Sequence, residues 1–590
     1  MKNIASGGFW ATFFTFCVIL AAFVSFLHPI FNPDLFWHLT SAREAQALGQ
    51  LLLSEEIFSF TRKGAYWVNY EWLFQTIVLK VFDWGDFRAL VYLQGFLLAG
   101  ALILLDRYVF VTILRGRSGI WGMLARVANV ALAGIFLSAR GSLQPELFSF
   151  IFLILFFFLR DSWSRRPRAL DVWHIVLTLA LFGSWANIHG GFVFAIGLTG
   201  LEIIALGIER SRAPDQAFMR RARIAVALCF MAFIGTLANP YGIGLYRVIL
   251  AHAKDASIIS GVIEEWKPSQ LYDPGTWIFW GVFILTLALL VYQARRNRRL
   301  NVFDILVVTA FGMFASGHVR NVGLFGVVCL PVFWRHLMSP LGSDFKKVVV
   351  ILTIAGLLVA SGYLGVLAAT SGGRIYHMKG IPKDYVAGGN FPAFALNFIE
   401  REPRLLKLKA LVDWGWAGFA EWRLYRKGLR VYFDGRYLFH DLLHELQHAA
   451  AEPKEWGRIV KASGVEMLLI HYTDEYKPVN VVEGGAQIMR NWHGVAIDPE
   501  QWALIWWDEN ALLFVDREKV DAPWLAAREY KIPIPYDPYL VEYYVKEGVL
   551  KPEAILKEVS RNAQEAGWNR RNKALFAIAL RWAQHFLIQE

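Results

Sequence analysis

The feature that most constrains this chain is a series of long apolar runs separated by polar loops. Of its 590 residues, 56% are hydrophobic and 18% are charged, and the mean hydropathy is +0.38. A typical soluble protein has about 25% charged residues. A helix needs ~20 apolar residues to cross a bilayer, and the longer runs approach that length. The sequence therefore predicts a polytopic α-helical membrane protein with about 11 transmembrane helices. The predicted spans are 8–28, 88–114, 120–137, 145–160, 171–187, 190–208, 222–238, 275–294, 302–316, 319–337 and 347–369.

The loops between these spans alternate between basic and weakly charged. The basic loops carry Arg115/Arg117, Arg160/Arg165/Arg166/Arg168, Arg210/Arg212/Arg220/Arg221/Arg223, Arg295/Arg296/Arg298/Arg299 and Lys346/Lys347. The positive-inside rule assigns these loops and the N-terminus to the cytoplasm, and every other loop to the exterior. The same rule explains the net charge of +11 by the basic cytoplasmic loops. Nucleic acid is therefore not expected as a partner.

Two segments complete the predicted organisation. A long first external loop covers 29–87, and its apolar stretch 71–81 is too short to cross, so we predict an interfacial or re-entrant helix there. The transmembrane domain is 1–373, and a water-soluble extracytoplasmic domain covers 374–590. Its patterns alternate between strands and helices, which favours an α/β domain that ends in helices. The predicted strands are 429–433, 465–470 and 511–515, and the predicted helices are 391–400, 440–451, 454–463 and 551–588.

The stretch Asn32–His38 directly follows the first span. Asn32 is a good N-cap and Pro33 suits the first helical position, so a helix is predicted over 33–47 that ends before Gly49. Asp34 then lies in the first turn, where the helix dipole favours an ionised carboxylate. His38 is four residues further on and shares its face. The alternative is an interfacial helix whose Asp only compensates the dipole.

The predicted external loops hold most of the other unusual polar residues. Arginine suits bidentate contacts to phosphate. The competing explanations are arginines that reach toward lipid headgroups, packed histidines and solvated loop carboxylates. We predict a site at this membrane surface, with catalytic residues Asp34 and His38. The predicted substrate-binding residues are Glu71, Arg140, Asn187, His189, Asn239, His318, Arg320 and Asn321.

Carboxylates from two loops could also hold a divalent cation. Asp34 with Glu264 or Glu265 supplies the oxygen ligands that Mg²⁺ or Mn²⁺ prefers, and such a metal would neutralise a phosphate leaving group. Other chemistries lack their motifs. The chain has no Walker-type phosphate loop, no HExxH and no GxSxG, which argues against an ATP-driven pump, a zinc protease and an α/β-hydrolase.

Several of these stretches resemble the GT-C superfamily of integral-membrane glycosyltransferases, and more closely a poorly characterised group of bacterial GT-C-like membrane proteins. The stretches are Asp34–His38, Trp67–Leu73, Trp185–Gly191, Asn239–Gly242, Glu264–Trp266, Arg320–Asn321 and Asp434–Arg436. The resemblance implies a GT-C-like fold, a catalytic or metal-linked carboxylate at Asp34 and a donor sugar carried on polyprenyl phosphate or diphosphate. The oligosaccharyltransferases of this superfamily carry a WWDxG motif. This chain lacks a clear match to it, and Asp413–Trp416 is only superficially similar. The chain departs from the mannosyltransferases because Leu35, not Glu, follows Asp34.

The leading functional hypothesis is a glycosyltransferase in the bacterial cytoplasmic membrane. It would transfer a sugar from a polyprenyl-linked donor to an acceptor on the outer face, among membrane lipids. Asp34 would be the base or metal ligand, His38 would orient it or bind phosphate, and Arg140, His318 and Arg320 would bind the carrier phosphate. Two alternatives stay open at this point: a non-catalytic scaffold or assembly subunit with the same fold, and a transporter of lipid or polysaccharide.

Overall fold

The apolar runs form helices in the computed structural model. The structure describes residues 2–116, 120–166, 171–209, 215–259, 264–273, 276–297, 301–338, 386, 391–480, 487–531 and 535–589. The helices up to residue 338 are α1 (Lys2–Phe26), α2 (Asp34–Ala47), α3 (Trp72–Tyr108), α4 (Ile120–Ser138), α5 (Glu146–Ser164), α6 (Val172–Ala186), α7 (Phe192–Glu209), α8 (Gln216–Thr236), α9 (Gly244–Ile259), α10 (Trp277–Asn297), α11 (Val302–Gly317) and α12 (Val322–Leu337). The first ten predicted spans each fall on one of these helices, and the eleventh, 347–369, lies outside the described residues.

The chain divides into two units. The first unit comprises Met1–Asn32 and Val68–Val386, and the second comprises Pro33–Trp67 and Ala387–Glu590. This division differs from the predicted boundary at 373/374, which lies outside the described residues. The two differ because residues 33–67, which belong to the predicted first external loop, pack on residues that follow 391.

The first unit has the composition of a multi-pass membrane protein. Among the described residues, four segments are both long and apolar enough to cross a bilayer, namely Trp72–Ile113, Glu146–Ser164, Phe192–Glu209 and Trp277–Arg296. Shorter apolar helices lie at Thr12–Phe26, Gly122–Ser138, Val172–Ala186 and Val302–Gly317. Ionisable side chains between these helices form ion pairs: Arg126–Asp106 at 2.6 Å, Arg160–Glu202 at 2.8 Å and Arg335–Asp304 at 2.9 Å. Such pairing is what makes charged groups tolerable among membrane helices.

Helix α3 is interrupted at Gly85 and Asp86. Asp86 has φ 59° and ψ −160°, an unusual conformation for a residue with a side chain, and Gly85 is also non-helical. The break separates a helix over 72–84 from a second helix over 87–108. The first of these covers the segment predicted to lie at the membrane surface, and that membrane placement stays a prediction.

The second unit is an α/β fold. Its five-stranded sheet has the order β2-β1-β3-β7-β6, where β1 pairs in parallel with β2 and β3, and β7 pairs antiparallel with β3 and β6. The strands are β1 (Lys409–Val412), β2 (Arg430–Val431), β3 (Met467–His471), β4 (Tyr476–Asn480), β5 (Gln487–Asn491), β6 (Trp502–Trp507) and β7 (Ala511–Asp516), with β4 and β5 in a separate hairpin. The helices are α13 (Ala393–Arg401), α14 (Trp414–Leu424), α15 (His440–Ala450), α16 (Pro453–Ala462), α17 (His493–Ala496), α18 (Ala522–Arg528), α19 (Pro538–Lys546), α20 (Pro552–Ala566) and α21 (Arg570–Gln589). The predicted α/β domain with helices at its end is confirmed.

Segment 33–67 is fastened to this sheet at several points. Ser59 forms a parallel bridge with Val431, so the segment covers the edge of the sheet at β2. Arg43 donates from Nη2 to the carbonyl oxygen of Trp422 at 3.0 Å, and Arg426 donates from Nε to Glu44 at 2.7 Å. Helix α2 therefore lies against α14, on residues more than 370 positions away in sequence.

Candidate functional site

Asp34 begins helix α2, which ends at Ala47 just before Gly49 (φ +68°). The N-cap is Pro33 and not Asn32, so the helix starts one residue later than predicted. Asp34 is partly buried, and its Oδ1 accepts a hydrogen bond from Trp37 Nε1 at 3.2 Å. His38 is buried, with its ring centroid 3.6 Å from that of Trp37. The sequence predicts both side chains at a surface, but His38 is buried in the structure.

The turn after β2 lies next to Asp34. A Cβ atom at Gly435 would lie 2.5 Å from Asp34 Oδ1, so the backbone of Gly435 approaches the carboxylate closely. Asp434 Oδ1 accepts from the backbone N–H of Arg436 at 2.9 Å, which closes the turn. The side chains of both flanking residues point into the protein, where they are fully buried.

Arg436 is held by two carboxylates and a set of aromatic rings. Its Nε donates to the two oxygens of Asp434 at 2.8 and 2.9 Å, and its Nη2 lies 2.5 Å from Glu56 Oε2. The guanidinium carbon lies 4.6 Å from the Trp67 ring centroid and 5.0 Å from that of Phe58. Burial lowers the pKa of Arg436, but the two carboxylates outweigh it and raise the pKa overall. The ion pair therefore joins the first-loop segment, through Glu56, to the turn that contacts Asp34.

Glu421 adds a third buried carboxyl group to this cluster. Burial and the nearby charge of Asp434 raise the pKa of Glu421 well above its ordinary value. Burial also raises the pKa of Glu56, although Arg436 and the backbone N–H groups of Phe58 and Ser59 oppose that shift. We call Glu56, Glu421, Asp434 and Arg436 the Arg436 cluster.

The first unit contains a second charged cluster, formed by Arg140, Glu146, Glu265 and Arg320. Arg140 donates to Glu146 from Nε at 2.8 Å and also donates to Glu265 and Gln144. Burial lowers the pKa of Arg140, but the two carboxylates raise it overall, so the side chain is charged. Because three acceptors surround it and it is only 5% exposed, Arg140 serves the fold of the loop before α5.

Arg320 is in a different situation. Its guanidinium lies 3.8 Å from Glu146 and 3.6 Å from Glu265, both longer than a hydrogen bond. It lies over the ring of Trp266 at 4.3 Å, and its side chain is 21% exposed. Of the two arginines, Arg320 is the one with geometry to accept an incoming anion.

His318 and Asn321 shape the turn that carries Arg320. The Nδ1 of His318 lies 2.6 Å from the carbonyl oxygen of Trp266. Asn321 donates from Nδ2 to the carbonyl oxygen of Phe314 at 3.1 Å. Both predicted ligands therefore make contacts within the protein that fix the start of α12 relative to the 264–266 turn.

The remaining predicted ligands hold helix ends together. Asn187 donates from Nδ2 to the carbonyl oxygens of Gly183 and Ala238 at 2.7 and 2.8 Å, and accepts from Trp72 Nε1 at 2.7 Å. This uses both of its side-chain donors in structural contacts. Asn239 accepts a hydrogen bond from the backbone N–H of Tyr241, which closes a turn. The ring of His189 is hydrogen-bonded to Ser149 and to the backbone N–H of Gly191. Glu71 is the residue directly before α3.

The predicted metal ligands fall in both units. Asp34 is in the second unit, while Glu264 and Glu265 lie in a 3₁₀ turn of the first. Glu265 contacts the guanidinium groups of Arg140 and Arg320, whose positive charge opposes binding of a cation. No group of three His, Cys, Asp or Glu placed to hold a metal occurs among the residues that the structure describes. Glu265 therefore fits an anion-binding cluster better than a metal site.

Comparison with known proteins gives a result only at the level of structure. No protein-family model matches the chain, and no curated protein matches it in sequence. Two solved structures of the Archaeoglobus fulgidus oligosaccharyltransferase are similar. The apo form has a TM-score of 0.54 at 11% identity, and the form tethered through a disulfide to an acceptor peptide with the NVT sequon has 0.53 at 12%. Each alignment covers 94% of this chain and 86% of the other.

This chain has an oligosaccharyltransferase-like GT-C fold. The likeness confirms the fold class predicted from the sequence, and at this identity it shows the fold alone. It does not identify the residues of the site.

Sequence reasoning missed most of the Arg436 cluster. It noted Asp434 and Arg436 only within a stretch that resembles the GT-C superfamily, and it did not select Glu56, Glu421 or, in the other cluster, Glu146. A signal exists for two of them: Glu421 is an isolated charge between Ala420 and Trp422, and Glu146 directly precedes an apolar span. Charged residues in such surroundings are almost always paired when they are buried.

Proposed function

We propose that this chain is a membrane glycosyltransferase. It would transfer a sugar from a polyprenyl-phosphate- or polyprenyl-diphosphate-linked donor to an acceptor on the outer face of the bacterial cytoplasmic membrane. The observation that carries the proposal is the oligosaccharyltransferase-like fold, which extends over both units of the chain. The proposal takes the membrane unit as the part that meets a lipid-linked donor.

Arg320 supports a phosphate-bearing donor. Its guanidinium lies beyond hydrogen-bond distance of both Glu146 and Glu265, so those carboxylates do not use its N–H donors, and its stacking on Trp266 holds the plane in place. A planar guanidinium pairs with phosphate through two parallel hydrogen bonds. Glu265 would release its loose contact with Arg320 when a phosphate binds, because two anions cannot share that position without repulsion.

Asp34 is proposed as the base. In the transfer step, the bond from the sugar's anomeric carbon to the carrier phosphate breaks, and a new bond forms to the nucleophilic atom of the acceptor. The acceptor's proton would pass to Asp34, and the electron pair of the broken bond would leave with the phosphate. Asp34 lies at a helix N-terminus and accepts an N–H from Trp37, and both features favour the ionised state that a base requires. No step is assigned to a metal.

The test compares two substitutions of matched chemistry. Asp34→Asn removes the charge and keeps the shape, while Asp441→Asn does the same at another first-turn aspartate of the second unit that is largely exposed. Membranes with equal amounts of each protein are given a radiolabelled pool of polyprenyl-linked sugars. Loss of a general base costs ~10²–10⁴-fold, so Asp34→Asn should lose transfer to that extent while Asp441→Asn keeps it.

The same experiment separates the alternatives. Transfer by Asp34→Asn within about threefold of wild type, against the loss expected for a base, would remove Asp34 from catalysis. A wild-type protein that supports envelope assembly without any transfer would favour the scaffold. Movement of the labelled lipid across vesicles that contain the purified protein, again without transfer, would favour the transporter.

A further inference from the structure

The carboxylate of Asp34 is enclosed on one side by two neighbours. Trp37 donates its indole N–H to Oδ1 at 3.2 Å, from one turn further along α2. Gly435 approaches the same oxygen so closely that a Cβ atom there would lie 2.5 Å from Oδ1 and 3.3 Å from Trp37 Nε1. A distance below 3.0 Å is essentially never seen for a real Cβ, so any larger residue must displace the carboxylate or the turn.

Gly435 is needed here for space and not for its backbone conformation. Its φ lies outside the left-handed region that other glycines of the chain adopt, such as Gly428 at +117°. An alanine could therefore take up the same backbone angles. What excludes it is the contact with Asp34.

The position of Gly435 is itself fixed from both sides. Asp434 and Arg436 are buried and bound to each other, and Arg436 also binds Glu56 at 2.5 Å. Glu56 belongs to the same first-loop segment as Asp34. The turn that contacts Asp34 and the segment that carries Asp34 are thus joined by one ion pair.

We infer that Trp37 and Gly435 are positioning residues that set the place of the Asp34 carboxylate, and that the Arg436 cluster holds Gly435 against it. The inference rests on the proposed function, in which Asp34 is the base. Trp37 directs Oδ1 through its N–H, and Gly435 admits the carboxylate to a space that any side chain would fill. The expected result of disturbing either residue is a displaced and less acidic carboxyl group in a protein that still folds.

The test uses Trp37→Phe and Gly435→Ala. Trp524→Phe is the matched control, because Trp524 donates its indole N–H to the carboxylate of Glu402 at 3.0 Å in the same unit. The first readout does not need activity: a diazo reagent that esterifies protonated carboxyl groups is applied across a pH series, and the extent of Asp34 modification is measured by peptide mass spectrometry. Loss of a donor to the ionised form should move the Asp34 titration upward in Trp37→Phe.

The second readout is sugar transfer. A displacement near 1 Å of a catalytic group costs on the order of 10²-fold, so both variants should lose about 10–100-fold while Trp524→Phe keeps its rate. Titration of Asp34 in both variants that matches the Trp524→Phe control would overturn the inference, whatever the transfer rate. If Gly435→Ala does not fold, Trp37→Phe decides alone. Wild-type-like transfer by Asp34→Asn would instead overturn the role of Asp34 as the base, and the labelling would still report on positioning.

Discussion

Replacing Arg436 with methionine tests whether the Arg436 cluster holds the second unit together. Methionine has a similar length and no charge, so the substitution removes the guanidinium without opening a large cavity. Asp434 and Glu56 are fully buried and would lose the cation between them. The perturbation therefore isolates the electrostatic part of the cluster.

The expected loss follows from the burial of all three partners. Removing one member of a buried ion pair costs about 3–5 kcal/mol, because an uncompensated charge stays in the interior. For a unit of this size, each kcal/mol lowers the melting temperature by about 2–4 °C, so the expected decrease is about 6–20 °C. Exposed pairs contribute about 0–1 kcal/mol. Arg458, whose side chain is 67% exposed beside Glu455, gives the matched control Arg458→Met, with a decrease of a few degrees at most.

The assay is thermal unfolding of the purified protein in detergent, followed by protease cleavage within 33–67. That segment packs on the sheet in the folded second unit and leaves it when the unit unfolds, so cleavage there reports the second unit specifically. Both variants are compared with wild type at pH 5.5, 6.5 and 7.5.

The pH series distinguishes a lost charge from lost packing. In Arg436→Met, Glu56 stays buried without the cation that lowers its pKa, so its folded-state pKa is raised further. A group with a raised folded-state pKa lowers stability as pH rises above its unfolded value, by about 1.4 kcal/mol per unit. The deficit of Arg436→Met should therefore grow from pH 5.5 to 7.5. A deficit that is equal at all three pH values, or no larger than that of Arg458→Met, would refute the electrostatic account.

Three further results are expected. Glu421→Gln should gain stability relative to wild type as pH rises from 5 to 8. Burial and Asp434 raise the folded-state pKa of Glu421, so the stability that Glu421 contributes to wild type is lost with rising pH. A difference in melting temperature that stays constant with pH would contradict this. Asn187→Ala should destabilise the first unit by about 2–4 kcal/mol, because it leaves the indole N–H of Trp72 and two carbonyl oxygens without a partner. A lower melting temperature without a selective change in the KM for the donor would identify a structural role. A reporter that is active only outside the cytoplasm should be active when fused after Glu590, and an inactive fusion would reverse the proposed topology.

The membrane helices could be predicted well from the sequence, because their signal is local. Long apolar runs give the first ten spans to within a few residues at most ends, and Gly49 marks the end of α2. The α/β class also follows from local patterns, although β4 and β5 were not predicted and, within the five-stranded sheet, neither were β1 and β6. Lys409–Val412 is too short to show alternation, and every residue of Trp502–Trp507 is buried, so no period of two appears.

The surroundings of the site could not be predicted in the same way. Nothing near residue 34 indicates that Gly435 will contact its carboxylate, and nothing near residue 56 indicates an ion pair with Arg436. Those contacts depend on how distant segments pack. Local reasoning therefore selected Asp34 and His38 without showing that His38 is buried, and without showing that the side-chain donors of Asn187 bind carbonyl oxygens of the protein itself.

The second unit cannot form until the end of translation is near, because it combines an early segment of the chain with a late one. Residues 33–67 leave the ribosome early, yet the partners of Arg43 and Glu44 are 379 and 382 positions later in the chain. At a translation rate of ~5–20 residues per second, those partners are synthesised about 20–75 s after α2. During that interval Leu35, Phe36 and Leu39 are buried residues without their finished surroundings, since Phe391 and Phe419, which contact Phe36, are not yet made. The nascent chain must shelter this apolar face elsewhere, and a ribosome that stalls before Arg436 leaves it exposed for as long as the stall lasts.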